Sequence, residues 1–230
     1  MARIATDDDR SEHRWPAVAA ILVALLLYGL LPSSFSPIIR FSVVAVGLIA
    51  LIPLIAINPV RLHRQTTWSR RYSMGFAVFL LVANQGALVQ LVILLVNGAT
   101  KDGHEILLAA LQVWLTNVIT FALVYWELDR GGPVTRAHAS RADLPDADFR
   151  FPQDEDDDAI DEVSARSSAK ANWTADFVDY AYFSMTNSMA FSPTDTMPLS
   201  HRVKALMAIE AFSGFVILAL VISRAVSLFS

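Results

Sequence analysis

Residues 106–126 read ILLAALQVWLTNVITFALVYW, an uninterrupted stretch with no charged residue. A helix of about 20 residues rises about 30 Å, the thickness of the hydrocarbon core of a bilayer. The stretch therefore reads as a membrane-crossing helix, and it decides the fold class. Its polar residues are not scattered. Gln112, Thr116 and Thr120 are spaced four apart and share one helix face, with Asn117 beside it. In lipid such groups hydrogen-bond to a neighbouring helix, or they line a polar pathway. The partner for either role is the stretch 74–96, which carries Asn84, Gln85 and Gln90 around Gly86 and Ala87.

Outward from this helix, four more apolar stretches qualify as spans: 15–31, which ends at Pro32, then 38–57, 74–96 and 205–229. Composition agrees. The chain is 54% hydrophobic and 17% charged, with a mean hydropathy of +0.45, whereas soluble domains carry about a quarter charged residues. A net charge of −4 gives no reason to expect nucleic acid as a partner. The absence of cysteine excludes disulfides, thiolate metal sites and cysteine nucleophiles. Arg3, Arg10 and Arg14 precede the first stretch, but so does the run Asp7–Asp9, and no A-x-A-like site follows. It reads as a retained helix rather than a cleaved signal. The expected class is an all-α membrane protein with five clear transmembrane helices and one polar segment, 173–191, that crosses or re-enters.

That segment is long enough to cross, yet it holds Asp176, Asp179, Thr186, Asn187 and Ser188. A charge at mid-membrane costs about 2.5–3.5 kcal/mol. Arginine placement bears on the choice. Arg61, Arg64, Arg70 and Arg71 mark the 58–73 loop as cytoplasmic, and the 127–172 loop, with Arg130, Arg136, Arg141, Arg150, Arg166 and Lys170, falls on the same side. A crossing would put Arg224 inside too. It favours six spans with both termini inside, at the cost of leaving His201, Arg202 and Lys204 outside. The chain then divides into a cytoplasmic tail (1–14), a four-helix region (15–126), an acidic flexible loop (127–172) and a pore-loop-like segment with the final helix (173–230). Few apolar residues and dense acidic charge, Asp154–Asp158 above all, set the loop apart. Phe149, Phe151 and Pro152 are expected against the membrane surface. Glu210 is an ionisable group inside the last span, and such a residue needs a structural partner or an ion-handling role.

The stretch 179–198 reads DYAYFSMTNSMAFSPTDTMP. Tyr182-Phe183-Ser184 and Asp195-x-x-Pro198 faintly resemble the pore helix and post-filter turn of tetrameric potassium channels. The filter departs from that pattern. Phe191, Ser192, Pro193 and Thr194 include no glycine, and Pro193 fixes its own φ, so selection by stacked carbonyls is not expected. A potassium-type loop would also require the 61–71 loop to lie outside. A closer resemblance covers most of the chain. VWLTNVITFALVYWELDRGGP (113–133) and YFSMTNSMAFSPTDTMPLS (182–200) look like an uncharacterised family of bacterial integral membrane proteins. That family has a WELDRGGP-type helix end and a late F-T-N-x-x-A-F-S-P-T-D-x-M-P element. Tyr182, Phe183, Ser184, Thr186, Met189, Phe191, Asp195 and Thr196 also fit a looser Y-F-S-x-T…M-x-F…S-D-T pattern of a larger related group. The resemblance implies a multi-span protein of the bacterial cell (inner) membrane, and no reaction.

The functional expectation is an ion channel or pore-like protein, assembled as a homo-oligomer, with a loop not of the potassium type. Thr186, Asn187, Ser192, Asp195 and Glu210 would line the path for cations, and Glu127 and Asp129 would form its inner mouth. The alternative is a non-conducting scaffold that recruits a partner through the acidic loop. An enzyme is not expected. His13, His63, His104, His138 and His201 are isolated in sequence and lack ligand spacing, and no phosphate loop, nucleophile elbow or cofactor motif is present.

Overall fold

The computed structural model describes residues 11–63, 65–97, 103–155, 160, 173–190 and 195–229. They form an all-α protein. Its helices are α1 (Trp15–Gly29), α2 (Pro37–Ile57), α3 (Thr67–Val96), α4 (Gly103–Leu128), α5 (Pro133–His138), α6 (Phe177–Ala190) and α7 (His201–Phe229). A two-residue strand β1 (Phe149–Arg150) pairs antiparallel with β2 (Met197–Pro198). Helices α2, α3, α4 and α7 are long and apolar enough to cross a membrane, and α1 is a shorter apolar helix. The architecture fits a multi-pass membrane protein.

Local chemistry sets the helix ends. Thr66 and Ser69 form a reciprocal capping box at the start of α3, each hydroxyl accepting from the other's backbone N–H at 2.9 and 3.1 Å. Helix α4 stops where Arg130, Gly131 and Gly132 all take positive φ, at 48°, 83° and 92°. Glycine enters that region without a steric penalty, and the sequence supplies two in a row. Helix α4 is the axis of the bundle: two thirds of its apolar window is buried, against 22–33% for α2, α3 and α7. On the outer helices Ile38, Ile52, Val82, Val89, Phe212 and Phe215 remain exposed, a belt suited to hydrocarbon rather than water.

Side-chain contacts give the sense of each helix. Ser73 reaches Glu127 and Asn84 reaches Asn117, so α3 runs antiparallel to α4. Glu12 meets Trp126 and Leu30 meets Gln112, so α1 does likewise. Tyr72 bonds Ala50 and Gln90 bonds Ser36, which sets α2 antiparallel to α3. One end of the bundle, called the loop end here, therefore gathers residues 12–14, 58–63, 65–66 and 127–155. The far end gathers 30–36 and 90–97.

The polar segment re-enters; it does not cross. Phe177 packs on Trp126 with ring centroids 5.9 Å apart, Ser184 donates to the Val118 carbonyl at 2.8 Å, and Ser188 accepts from Trp114 Nε1 at 2.8 Å. Helix α6 thus descends from the loop end, antiparallel to α4. Helix α7 starts from that same end, where Arg202 grips Asp148. The chain between them must come back, and the pairing of β2 with β1 marks its return. Length agrees: the 14 residues of α6 rise about 20 Å, short of a 30 Å core. Six spans with both termini on one side is therefore not the arrangement, and residues 12 and 229 lie at opposite ends. Two difficulties of the crossing disappear with it. His201, Arg202 and Lys204 join Arg61, Arg70 and Arg71 at the loop end. Asp176 and Asp179 lie at the rim, not in mid-membrane, as a second capping box: Asp176 Oδ1 accepts from Val178 N and Asp179 Oδ2 from Asp176 N, both at 2.8 Å.

Residues 129–155 fold onto the loop end. Phe149 and Phe151 are buried rather than spread on a membrane surface. Phe149 makes edge contacts with Tyr125 and Phe183 at 5.3 and 4.9 Å, and Phe151 makes one with Tyr180 at 5.3 Å. The two phenylalanines flank Arg150 in an extended strand, so the pleat sends both to one face and Arg150 to the other. That alternation, FRF, is the sequence signal for the docking.

Candidate functional site

Three elements bring polar side chains together in the middle of the bundle. Helix α7 supplies Glu210, which is fully buried. Helix α4 supplies Tyr125, whose hydroxyl donates to Glu210 Oε2 at 2.8 Å. Helix α6 supplies Asn187, whose Nδ2 donates to the same oxygen at 2.7 Å, and Ser184, whose hydroxyl contacts Glu210 Oε1. Asn187 and Ser184 are three apart and share a face of α6, as the helical repeat requires. Among the described residues no cationic side chain forms an ion pair with Glu210. The carboxyl is surrounded by neutral dipoles.

Proton counting makes this site two-valued. A serine hydroxyl owns one hydrogen, yet Ser184 Oγ faces both the Val118 carbonyl at 2.8 Å and Glu210 Oε1. Both contacts are hydrogen bonds when Oε1 carries its own proton and donates to Ser184. Without that proton, Ser184 must choose one oxygen.

A second polar group continues toward the far end. Ser213, one turn beyond Glu210, lies 3.0 Å from Gln85 Oε1. Gln85 and Asn84 both donate to Asn117 Oδ1, at 2.8 and 3.0 Å. Asn84 Oδ1, Asn117 Nδ2 and Gln112 Oε1 are buried without a hydrogen-bond partner. Thr116 and Thr120 bond back to carbonyls of their own helix. Space at the site is tight: a Cβ on Gly214 would lie 2.5 Å from the Ser188 carbonyl, so α6 and α7 come this close at Ser188 because residue 214 has no side chain.

The expected site residues separate into groups. Asn187 and Glu210 come together. Thr186, next to Asn187, turns away and bonds the Phe183 carbonyl at 2.9 Å. Asp195 is exposed. Ser192 lies outside the described residues, as do Asp156–Asp158 of the acidic run. Asp129 is fully buried and accepts from Asp148 N at 2.8 Å and from Tyr180 Oη at 2.6 Å, which ties the end of α4 to β1 and α6. Glu127 is buried against Ser73 beside a cavity bounded by Arg14 and Arg70. Two histidines that are isolated in sequence also meet: His63 Nδ1 and His138 Nε2 lie 2.8 and 3.1 Å from Ser11 Oγ.

Sequence reasoning missed Tyr125 and Ser184 as partners of Glu210. The signal was present only as spacing: Ser184 and Asn187 share a face, and Tyr125 sits in the run FALVYW at 121–126. Comparison of the chain with protein-family models, with curated proteins and with solved structures finds no match.

Proposed function

We propose that the protein passes protons or small monovalent cations across a bilayer, as a channel or carrier, and that Glu210 is the group that takes up the ion. The observation that carries this reading is a fully buried carboxyl, contacted by three neutral donors and, among the described residues, by no cation, at the junction of a re-entrant helix with two long apolar ones. Ionisable groups at such depth cost several kcal/mol, and ion and proton pathways are where membrane proteins retain them. Re-entrant helices likewise occur where irregular backbone lines a cavity or is covered by protein. Ser184 and Asn187, both on α6, would register the arrival or loss of the ion. The polar group from Ser213 to Asn117 would continue the path. Asp195 would act at the entrance on the loop end, which we place in the cytoplasm from its arginines.

Liposome flux tests this reading. Reconstituted protein should dissipate an imposed proton or sodium gradient. Glu210→Gln, nearly isosteric, should reduce the rate at least tenfold, and Tyr125→Phe and Asn187→Ala should reduce it less. Flux that is absent from well-folded protein, or is the same in Glu210→Gln, would overturn the proposal. Capture of a cytoplasmic partner that is lost on deleting residues 156–170 would then favour the scaffold reading.

A further inference from the structure

A second site lies on the other side of α4, independent of Glu210. Successive residues of a helix point in different directions, so Tyr125 faces α6 and α7 while Glu127 faces α1 and α3. There, at the loop end, α1 to α4 enclose a cavity of about 60 Å³. That is room for roughly four to five water-sized groups, the size of a phosphate.

The lining is graded. Arg14 and Arg70 bound the cavity together with Gln65 and Ser73, while Ile21, Leu51, Leu54 and Phe76 form its apolar part. Arg14 is only 8% exposed. One of its nitrogens donates to the Asn58 carbonyl at 3.3 Å, and its Nε has no hydrogen-bond partner. Glu127 is the acidic residue of the lining, and its carboxyl is engaged by Ser73. No ion pair within 4 Å joins it to Arg14 or Arg70 among the described residues. Two guanidinium groups thus face one carboxyl, and a buried guanidinium donor without an acceptor is costly. The cavity carries surplus positive charge and a spare, directed donor.

Depth identifies the source of the anion. Trp15 adjoins Arg14 and is exposed; Trp68 is exposed two residues before Arg70 and stacks on Tyr72 at 5.2 Å. Exposed Trp and Tyr on membrane helices settle at the headgroup level. The two arginines therefore stand where lipid phosphates stand, and the apolar lining lies where ester carbons and acyl chains begin. Arginine is suited to a phosphate through its planar fork of donors.

We propose that this cavity binds the phosphate of a net-anionic phospholipid, held by Arg14 and Arg70, with the first carbons of the lipid against Leu51 and Leu54.

The full chain in detergent, titrated with dioctanoyl phosphatidylglycerol, dioctanoyl phosphatidylcholine or inorganic phosphate, tests this. Thermal midpoint and native mass spectrometry are the readouts. Phosphatidylglycerol should bind saturably and raise the midpoint, with the other two at least tenfold weaker. Arg70→Gln, at an exposed position, should keep the fold and weaken phosphatidylglycerol at least tenfold. Arg14→Gln should do the same where it folds, and Leu54→Trp should block the site without a change of charge. Equal binding of the two lipids, or full affinity in Arg70→Gln, would mean ordinary annular lipid and overturn the proposal. Inorganic phosphate binding as tightly as phosphatidylglycerol would overturn the lipid assignment in favour of a free-anion site.

Discussion

Glu12 shows how far a single carboxyl can couple distant pieces of this chain. It precedes α1, yet it accepts from Trp126 Nε1 at 3.0 Å and from the Phe177 backbone N–H at 2.8 Å. It thereby ties the segment before α1 to the end of α4 and the start of α6. Burial disfavours its charged form and pushes its pKa from 4.5 up to about 7; Arg136 and the two hydrogen bonds oppose the shift, and Asp176 adds to it. The sign follows from proton counting. Between about pH 4.5 and 7 the folded protein keeps a proton that the unfolded chain has lost, so stability falls as pH rises through that window. The full effect is at most about 3 kcal/mol. Thermal midpoints in detergent should decline from pH 5 to pH 7.5, and Glu12→Gln should flatten the decline. An equal slope in the variant would remove Glu12 as its source. Asp129, which sequence alone offers as part of a pathway, couples distant pieces of the chain in the same way. Its acceptor sites are taken by Tyr180 and by the backbone N–H groups of 148 and 149, so it works as an anchor.

Helix α6 is the element on which both fold and candidate site depend. It is capped at the rim by Asp176 and Asp179, it is held along one side by Tyr180 and Phe183 in the aromatic cluster, and it delivers Ser184 and Asn187 to Glu210. Its depth relative to α7 is limited by Gly214. A methyl group there would displace the Ser188 carbonyl, and overpacking of this kind costs about 1–3 kcal/mol. Gly214→Ala should therefore lower the midpoint by several degrees and, by moving Asn187 and Ser184 from Glu210, should reduce flux beyond what lost stability explains. A variant with native stability and native flux would show that the close approach is not needed. Gly86, also in a membrane helix, has no neighbour within 4 Å of a built Cβ, and alanine there should be neutral.

At the scale of the whole molecule the arrangement is four helices long and apolar enough to cross a membrane, a shorter apolar helix α1, and a half-helix α6 that enters from the loop end without running the length of the bundle. The chain has no cysteine, so single cysteines report sidedness cleanly. Ala142→Cys and Leu199→Cys should label from one side of the membrane, and Ser34→Cys from the other. Labelling of positions 142 and 199 from opposite sides would require that α6 cross, against the geometry described here. The side shared by 142 and 199 should be cytoplasmic, because Arg61, Arg70, Arg141, Arg150 and Arg202 all lie there.

Hydropathy made the five apolar helices legible, because burial in hydrocarbon is a property of each stretch by itself: some twenty uncharged residues suffice, whatever surrounds them. Glu210 stood out for the same reason, as a charge where none is cheap. The fate of 173–191 was not legible. Its length permitted a crossing, and whether Asp176 and Asp179 are expensive or useful depends on the depth at which they sit. That depth is set by contacts of Phe177 with Trp126 and of β2 with β1, between residues some fifty positions apart. The partners of Glu210 were hidden in the same way. Tyr125 and Ser184 carry no mark of the role in their own sequence neighbourhoods, and only the packing of α4, α6 and α7 turns their hydroxyls toward one carboxyl. The sequence by itself determined the solvent of this protein and the helices that meet it. The tertiary structure alone decided which polar groups face one another, because pairing across helices is a matter of distance in space, which local composition does not encode.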